Sequence, residues 1–189
     1  ILDLFLDLCA AVNHAHSRLI LHRDIKPENI LVDRDGSLRL IDFGISSFLD
    51  GEQENSAGPL TVAYAAPEQL NGDSLSVATD VFAMGVSLYQ LVAGELPHRN
   101  SKGGVELDAK LIKSPELYAV LTKATRFNAG DRYGSVNTLM DDIKAIQEKS
   151  PVQAYSTSPL YRFSKTIRRF PLASGLAAAF IASLVLGLG

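Results

Sequence analysis

Two short stretches hold most of the side chains able to do chemistry in this chain. The first is His22-Arg23-Asp24-Ile25-Lys26-Pro27-Glu28-Asn29. The second is Asp42-Phe43-Gly44, whose carboxylate lies eighteen residues after Asp24. Asp24 offers a carboxylate able to accept a hydroxyl proton. Asn29, five residues on, carries a neutral carbonyl oxygen suited to a metal ion. Asp42 supplies an anionic oxygen, the hard ligand that Mg²⁺ prefers. Lys26 is a compact positive charge that can hold a phosphoryl group. A base, two oxygen ligands and an ammonium group are what phosphoryl transfer needs, since that reaction rests on positioning and charge neutralisation more than on covalent chemistry. The alternative is a set of solvated loop charges with no common task.

A third stretch, Ala66-Pro67-Glu68, follows downstream. In this order and at these intervals, the three resemble the signature set of protein kinases: catalytic loop, DFG motif and APE motif. The resemblance implies ATP and Mg²⁺ as cofactors, Asp24 as base, Asp42 as main metal ligand, Asn29 as second ligand and Lys26 as phosphate contact. Lys26, two residues after Asp24, is the residue serine/threonine kinases carry there, and Thr61 matches the threonine that lies beside it. Arg23 resembles the arginine of kinases controlled by phosphorylation of the activation segment, where Ser46, Ser47 and Ser56 are candidate acceptors. A guanidinium can bind such a phosphate bidentately; the alternative is that Arg23 only packs and pairs locally. Glu68 and Arg132 match the family's buried ion pair, and Asp80 matches an aspartate that braces the catalytic loop backbone. Phe43 and Gly44 complete the DFG motif as structural residues, and His22 braces the loop. Leu60 stands where many members have glycine, and Phe82 and Ala83 replace commoner residues. The whole resembles a bacterial eukaryotic-like transmembrane serine/threonine kinase acting on Ser or Thr of proteins. A scaffold that binds partners without turnover is the runner-up, and the intact Asp24, Asn29 and Asp42 speak against it.

The elements that must position these groups are mostly helical. Leu2, Leu6, Leu8, Cys9 and Val12 fall roughly along one side of a helix over residues 1–18. Residues 30–41 read as a single small hairpin around the turn at 33–36. Residues 44–60 are too polar and irregular for a regular element. Residues 77–94 are apolar at helical spacing and stop at Gly94, and 115–125 and 135–148 read as two further amphipathic helices. His14 and His16 point in different directions and make poor metal ligands. The expected fold is mainly α: a kinase C-terminal lobe with one hairpin over residues 1–148. No glycine-rich phosphate loop precedes the catalytic loop in these 189 residues. The chain therefore reads as a fragment of a longer protein, inactive alone.

Composition divides the chain. The net charge of −3 hides a body, residues 1–149, with all 21 Asp and Glu, and a tail with none. Cys9, the single cysteine, rules out an internal disulfide and reads as a buried thiol. Residues 149–169 hold two prolines and the basic residues Arg162, Lys165, Arg168 and Arg169, and read as a basic juxtamembrane linker. Residues 170–189 carry no charge and match the roughly 20 residues that cross a bilayer core. The positive flank keeps the kinase body in the cytoplasm, on a single pass through the inner membrane. A membrane, not a nucleic acid, is the partner this tail implies. Gly175, Ala179, Ser183 and Gly187 recur every four residues, a stripe that could pack two helices into a homodimer.

Overall fold

The computed structural model describes residues 1–42, 59–156, 158, 161 and 165. Helix α1 (Leu2–His16) buries Phe5, Leu8, Cys9, Val12 and Ala15, spaced at three and four residues so that they share one face. The strands β1 (Ile30–Val32) and β2 (Leu38–Leu40) pair antiparallel, with Leu31 opposite Arg39. Gly36, at φ +86°, takes the left-handed position in their turn, which only glycine adopts at no steric cost.

Two short helices follow, α2 (Pro59–Tyr64) and α3 (Pro67–Leu70), each opening on a proline whose missing N–H is no loss there. The reading of 44–60 as irregular is thus corrected at its end, where helix begins at residue 59. Helix α4 (Val77–Ala93) is the centre of the lobe, with every residue from Ala78 to Tyr89 buried. A helix apolar all round must be surrounded by others. Its start is fixed by a reciprocal cap: Ser76 Oγ accepts from Ala78 N at 3.2 Å, and Thr79 Oγ1 accepts from Ser76 N at 3.1 Å. Gly94, at φ +82°, ends it.

A second hairpin, β3 (His98–Arg99) with β4 (Val105–Glu106), corrects the expectation of a single one. Helices α5 (Pro115–Ala124) and α6 (Val136–Gln147) are capped by Ser114 and Ser135. Helix α5 packs against α4 and α6, while α1 packs against α6 and β2. At Gly85 the helices come so close that an added Cβ would lie 2.9 Å from both Ala124 Cβ and Thr125 Cγ2.

Residues 150–156, expected as linker, lie on the body. Val152 is fully buried, and the amides of Gln153 and Ala154 donate to the Asp142 carboxylate at 2.7 and 3.0 Å. Asp142 also accepts from Tyr133 Oη at 2.8 Å. No helix among the described residues is long and apolar enough to cross a membrane. Residues 170–189 lie outside them.

Candidate active site

The site is built on one buried carboxylate. Asp80, on the first turn of α4, is 1% exposed and accepts three hydrogen bonds from chain 57 to 64 residues away. His22 N donates to its Oδ2 at 2.9 Å and Arg23 N to its Oδ1 at 2.8 Å. His16 Nε2 lies 2.7 Å from Oδ2. An ionised carboxylate taken out of water needs such donors, and here they come from the backbone just before Asp24. The loop is pinned from its other side as well. Gln69 Nε2, on α3, donates to Arg23 O at 2.8 Å, and Gln69 Oε1 accepts from Ala66 N. Between these anchors Arg23 holds φ at +71°, a left-handed conformation that costs a non-glycine residue about 1–3 kcal/mol unless its surroundings enforce it.

Beyond that bend the functional groups converge. Lys26 Nζ lies 2.8 Å from Asp24 Oδ2. Asn29 Nδ2 donates to Asp24 O at 2.8 Å and to Asp24 Oδ2 at 3.0 Å. Lys26 and Asn29 both reach Oδ2 of this carboxylate. Asn29 spends its amide nitrogen on Asp24, so its carbonyl oxygen is the atom left for a cation. Ile41 N donates to Asn29 O at 3.0 Å, extending the β1–β2 ladder by one step and setting the exposed Asp42 beside Asn29. Asp42 has φ +55°, a second left-handed residue at the site. The two oxygen donors suit Mg²⁺, which keeps several waters and takes its other ligands from phosphates.

His22 is fully buried, with Nε2 3.1 Å from Ile41 O, and so ties the catalytic loop to the end of β2. Burial lowers its pKa, against the opposing pull of Asp80, Ile41 O, Asp24 and Asp42. A neutral imidazole in that place is a brace between two strands of chain.

Glu68 and Arg132 form a bidentate pair, with Nη1 to Oε1 at 2.7 Å and Nη2 to Oε2 at 2.8 Å. Arg132 also donates to the carbonyls of Ala78, Arg126 and Phe127 and stands 4.8 Å from the centre of the Phe82 ring. Burial alone would raise the Glu68 pKa, but the hydrogen bonds and charge of Arg132, with Thr79 Oγ1 at 2.9 Å, hold it below the ordinary carboxylate value. The pair joins α3 to the turn before α6 and so fixes Gln69, the clamp on Arg23.

Three residues the sequence did not single out belong to this frame. His16, a poor metal ligand by its spacing to His14, instead meets Asp80, while Gln69 and Arg99 stand in no motif. Arg99 donates to the carbonyls of Ala63, Ala65 and Gly103, tying the β3–β4 hairpin to the end of α2. Only the apolar run around His16 and Gln69's place beside Glu68 hinted at burial. Phe43, Gly44, Ser46, Ser47 and Ser56 lie outside the described residues, and Thr61 lies on α2 without a described side chain.

A helical body with this loop hung on a buried aspartate is the arrangement of a protein kinase domain. Comparison with known proteins agrees: residues 1–169 match the protein kinase domain. The chain belongs to that family. It is 32% identical to the serine/threonine-protein kinase PknD of Chlamydia pneumoniae, over 83% of this chain and 20% of that protein. It is 30% identical to the probable serine/threonine-protein kinase PknB of Lactococcus lactis, over 75% of this chain and 25% of that protein. With the kinase AtPK1/AtPK6 of Arabidopsis thaliana it shares 33% identity over 73% of this chain and 31% of the relative. The chain thus spans about a fifth to a third of the length of these relatives.

Proposed function

We propose that this chain is the large lobe of a serine/threonine protein kinase that moves the γ-phosphoryl group of ATP to protein hydroxyls. The observation that carries the reading is the cluster of Asp24, Lys26 and Asn29, joined at 2.8–3.0 Å beside Asp42 and held by Asp80. The substrate oxygen bonds to the γ-phosphorus as the bond to the leaving ADP oxygen breaks, and the hydroxyl proton passes to the Asp24 carboxylate. Lys26, already at Asp24, holds the transferring group close to the base. Asn29 and Asp42 would hold Mg²⁺, which supplies charge neutralisation at the phosphate oxygens. Similarity to three proteins named serine/threonine kinases supports the hydroxyl class of substrate.

The regulatory part of the reading rests on Arg23 and on Ser46, Ser47 or Ser56 as phosphate acceptors. Attachment to the inner membrane rests on residues 170–189 and the basic flank before them. The small-residue stripe extends this to self-association in the bilayer. The 189 residues contain no glycine-rich phosphate loop. Alone they are expected to turn over far more slowly than a protein whose small lobe fixes the γ-phosphate, because positioning supplies much of the catalysis.

In the full-length protein, Asp24→Asn should lower phosphotransfer at least ~100-fold, the scale of a positioned acid–base group. Asp42→Asn should do the same and raise the Mg²⁺ concentration needed for half-maximal rate. Radiolabelled ATP and a generic protein substrate provide the measurement. Wild-type turnover in Asp24→Asn would favour the scaffold reading instead.

A further inference from the structure

The tail that follows α6 is bound to the body at two separate places. The first is the Asp142 carboxylate, which is 3% exposed and caps the amides of Gln153 and Ala154 while Val152 is buried beside it. The second lies further along, where Lys165 Nζ meets Glu116 Oε1 at 2.7 Å with both side chains mostly covered. The Lys165 hydrogen bond is the main cause that holds the Glu116 pKa low. Tyr161 bridges the two places. Its hydroxyl accepts from Val152 N at 3.3 Å, and its ring lies 5.1 Å from that of Tyr155 and 5.8 Å from Lys165 Nζ. Held to the body at Val152–Ala154, Tyr161 and Lys165, the tail acts as a strap and not a free tether.

Reach then sets geometry. Phe170, the first residue of the uncharged segment, is five residues after Lys165. Five fully extended residues span about 18 Å at most. If Lys165 is held at Glu116, on the first turn of α5, that end of the helix cannot stand further than this from the start of the apolar segment. Arg168 and Arg169 fill the gap. On the same end of the body, just before α5, Lys110 and Lys113 are both exposed. Each basic residue near an anionic leaflet contributes roughly 1 kcal/mol of attraction.

We propose that the face around the start of α5, with Lys110, Lys113, Glu116 and the strap, is a docking surface for an anionic lipid bilayer, so that the kinase body sits moored in one orientation. This rests on the reading of residues 170–189 as membrane-spanning, and goes beyond it. A membrane anchor alone allows any orientation, whereas the strap selects one.

The test uses the full chain reconstituted in vesicles of phosphatidylcholine and phosphatidylglycerol with an energy acceptor on the lipid headgroups. Cys9 is fully buried, and burial pushes its thiol up to about 12, so it stays silent to maleimide dyes. Donor dyes go on Ala109→Cys, beside the proposed face, or on Arg34→Cys, in the exposed turn between β1 and β2, whose strand β2 packs on α1. Transfer from position 109 is expected to exceed that from 34 several-fold. Lys165→Glu should bring the two to the same level, and adding Glu116→Lys should restore the difference. Equal transfer from both positions in an unmodified strap, in a chain that floats with the vesicles, overturns the mooring and leaves the membrane anchor standing. A chain that stays behind on flotation overturns the anchor, and the mooring with it.

Discussion

Leu19 is 95% exposed and holds φ at +60°, in the turn that leads from α1 to the catalytic loop. Its side chain contributes little packing, while the left-handed backbone costs a leucine about 1–3 kcal/mol. Glycine takes that conformation freely and loses about 0.5–1 kcal/mol through its freer unfolded chain. Leu19→Gly is therefore expected to stabilise the lobe by about 1 kcal/mol, read as a higher urea midpoint at unchanged slope. A lower midpoint would mean that Leu19 makes contacts the exposure hides. Arg132 is the opposite case, since each of its nitrogens has a partner. Arg132→Met strands Glu68 in the interior and should cost about 3–5 kcal/mol at neutral pH. The sign of the pH dependence follows from Glu68. Its folded pKa is below its unfolded one, so the pair's stabilisation is complete above the unfolded carboxylate value of about 4.3. It is lost as pH falls through the lower folded value. The gap between wild type and Arg132→Met should accordingly narrow below pH ~4, and a constant gap in urea titrations would contradict this.

Helix crossings carry the next scale. Gly85 lets α4 and α5 approach where a Cβ would stand 2.9 Å from two side-chain carbons. Gly85→Ala should gain helix propensity of up to ~1 kcal/mol, yet overpacking costs about 1–3 kcal/mol, so a net loss in thermal midpoint is expected. A gain would show that α5 can slide. The long helices were legible because their apolar residues repeat at three and four, and because Ser76, Ser114, Ser135 and Gly94 punctuate them. The second hairpin escaped because its strands are two residues long, too short to show alternation, although Asn100 and Gly103 mark its turn. Helix α2 escaped because it is only six residues long and begins inside the polar stretch 44–60. The grouping of Asp24, Lys26 and Asn29 was legible because all three lie in one short loop. Its frame was not, because His16, Gln69 and Arg99 meet partners 34 to 64 residues away, which no local pattern encodes. One signal was present for the strap. Asp142 interrupts the buried stripe of Val136, Leu139 and Ile143, and a carboxylate there must find donors, which the tail supplies.

At the scale of the whole molecule, the described residues of the tail are joined to the body, through Val152, Gln153 and Ala154 and again at Lys165. Under the proposed membrane attachment, the five residues from Lys165 to Phe170 would set the only slack between bilayer and body, about 18 Å at most. The Asp80 hub has a different consequence, in time. Asp80 enters the chain 56 residues after Asp24. At about 5–20 residues per second, a growing chain makes the base some 3–11 s before the carboxylate that fixes its loop. Through that interval α1 and the first hairpin can form from local contacts, while the amides of His22 and Arg23 have no anchor. The bend at Arg23 is thus set late, by the arrival of the central helix.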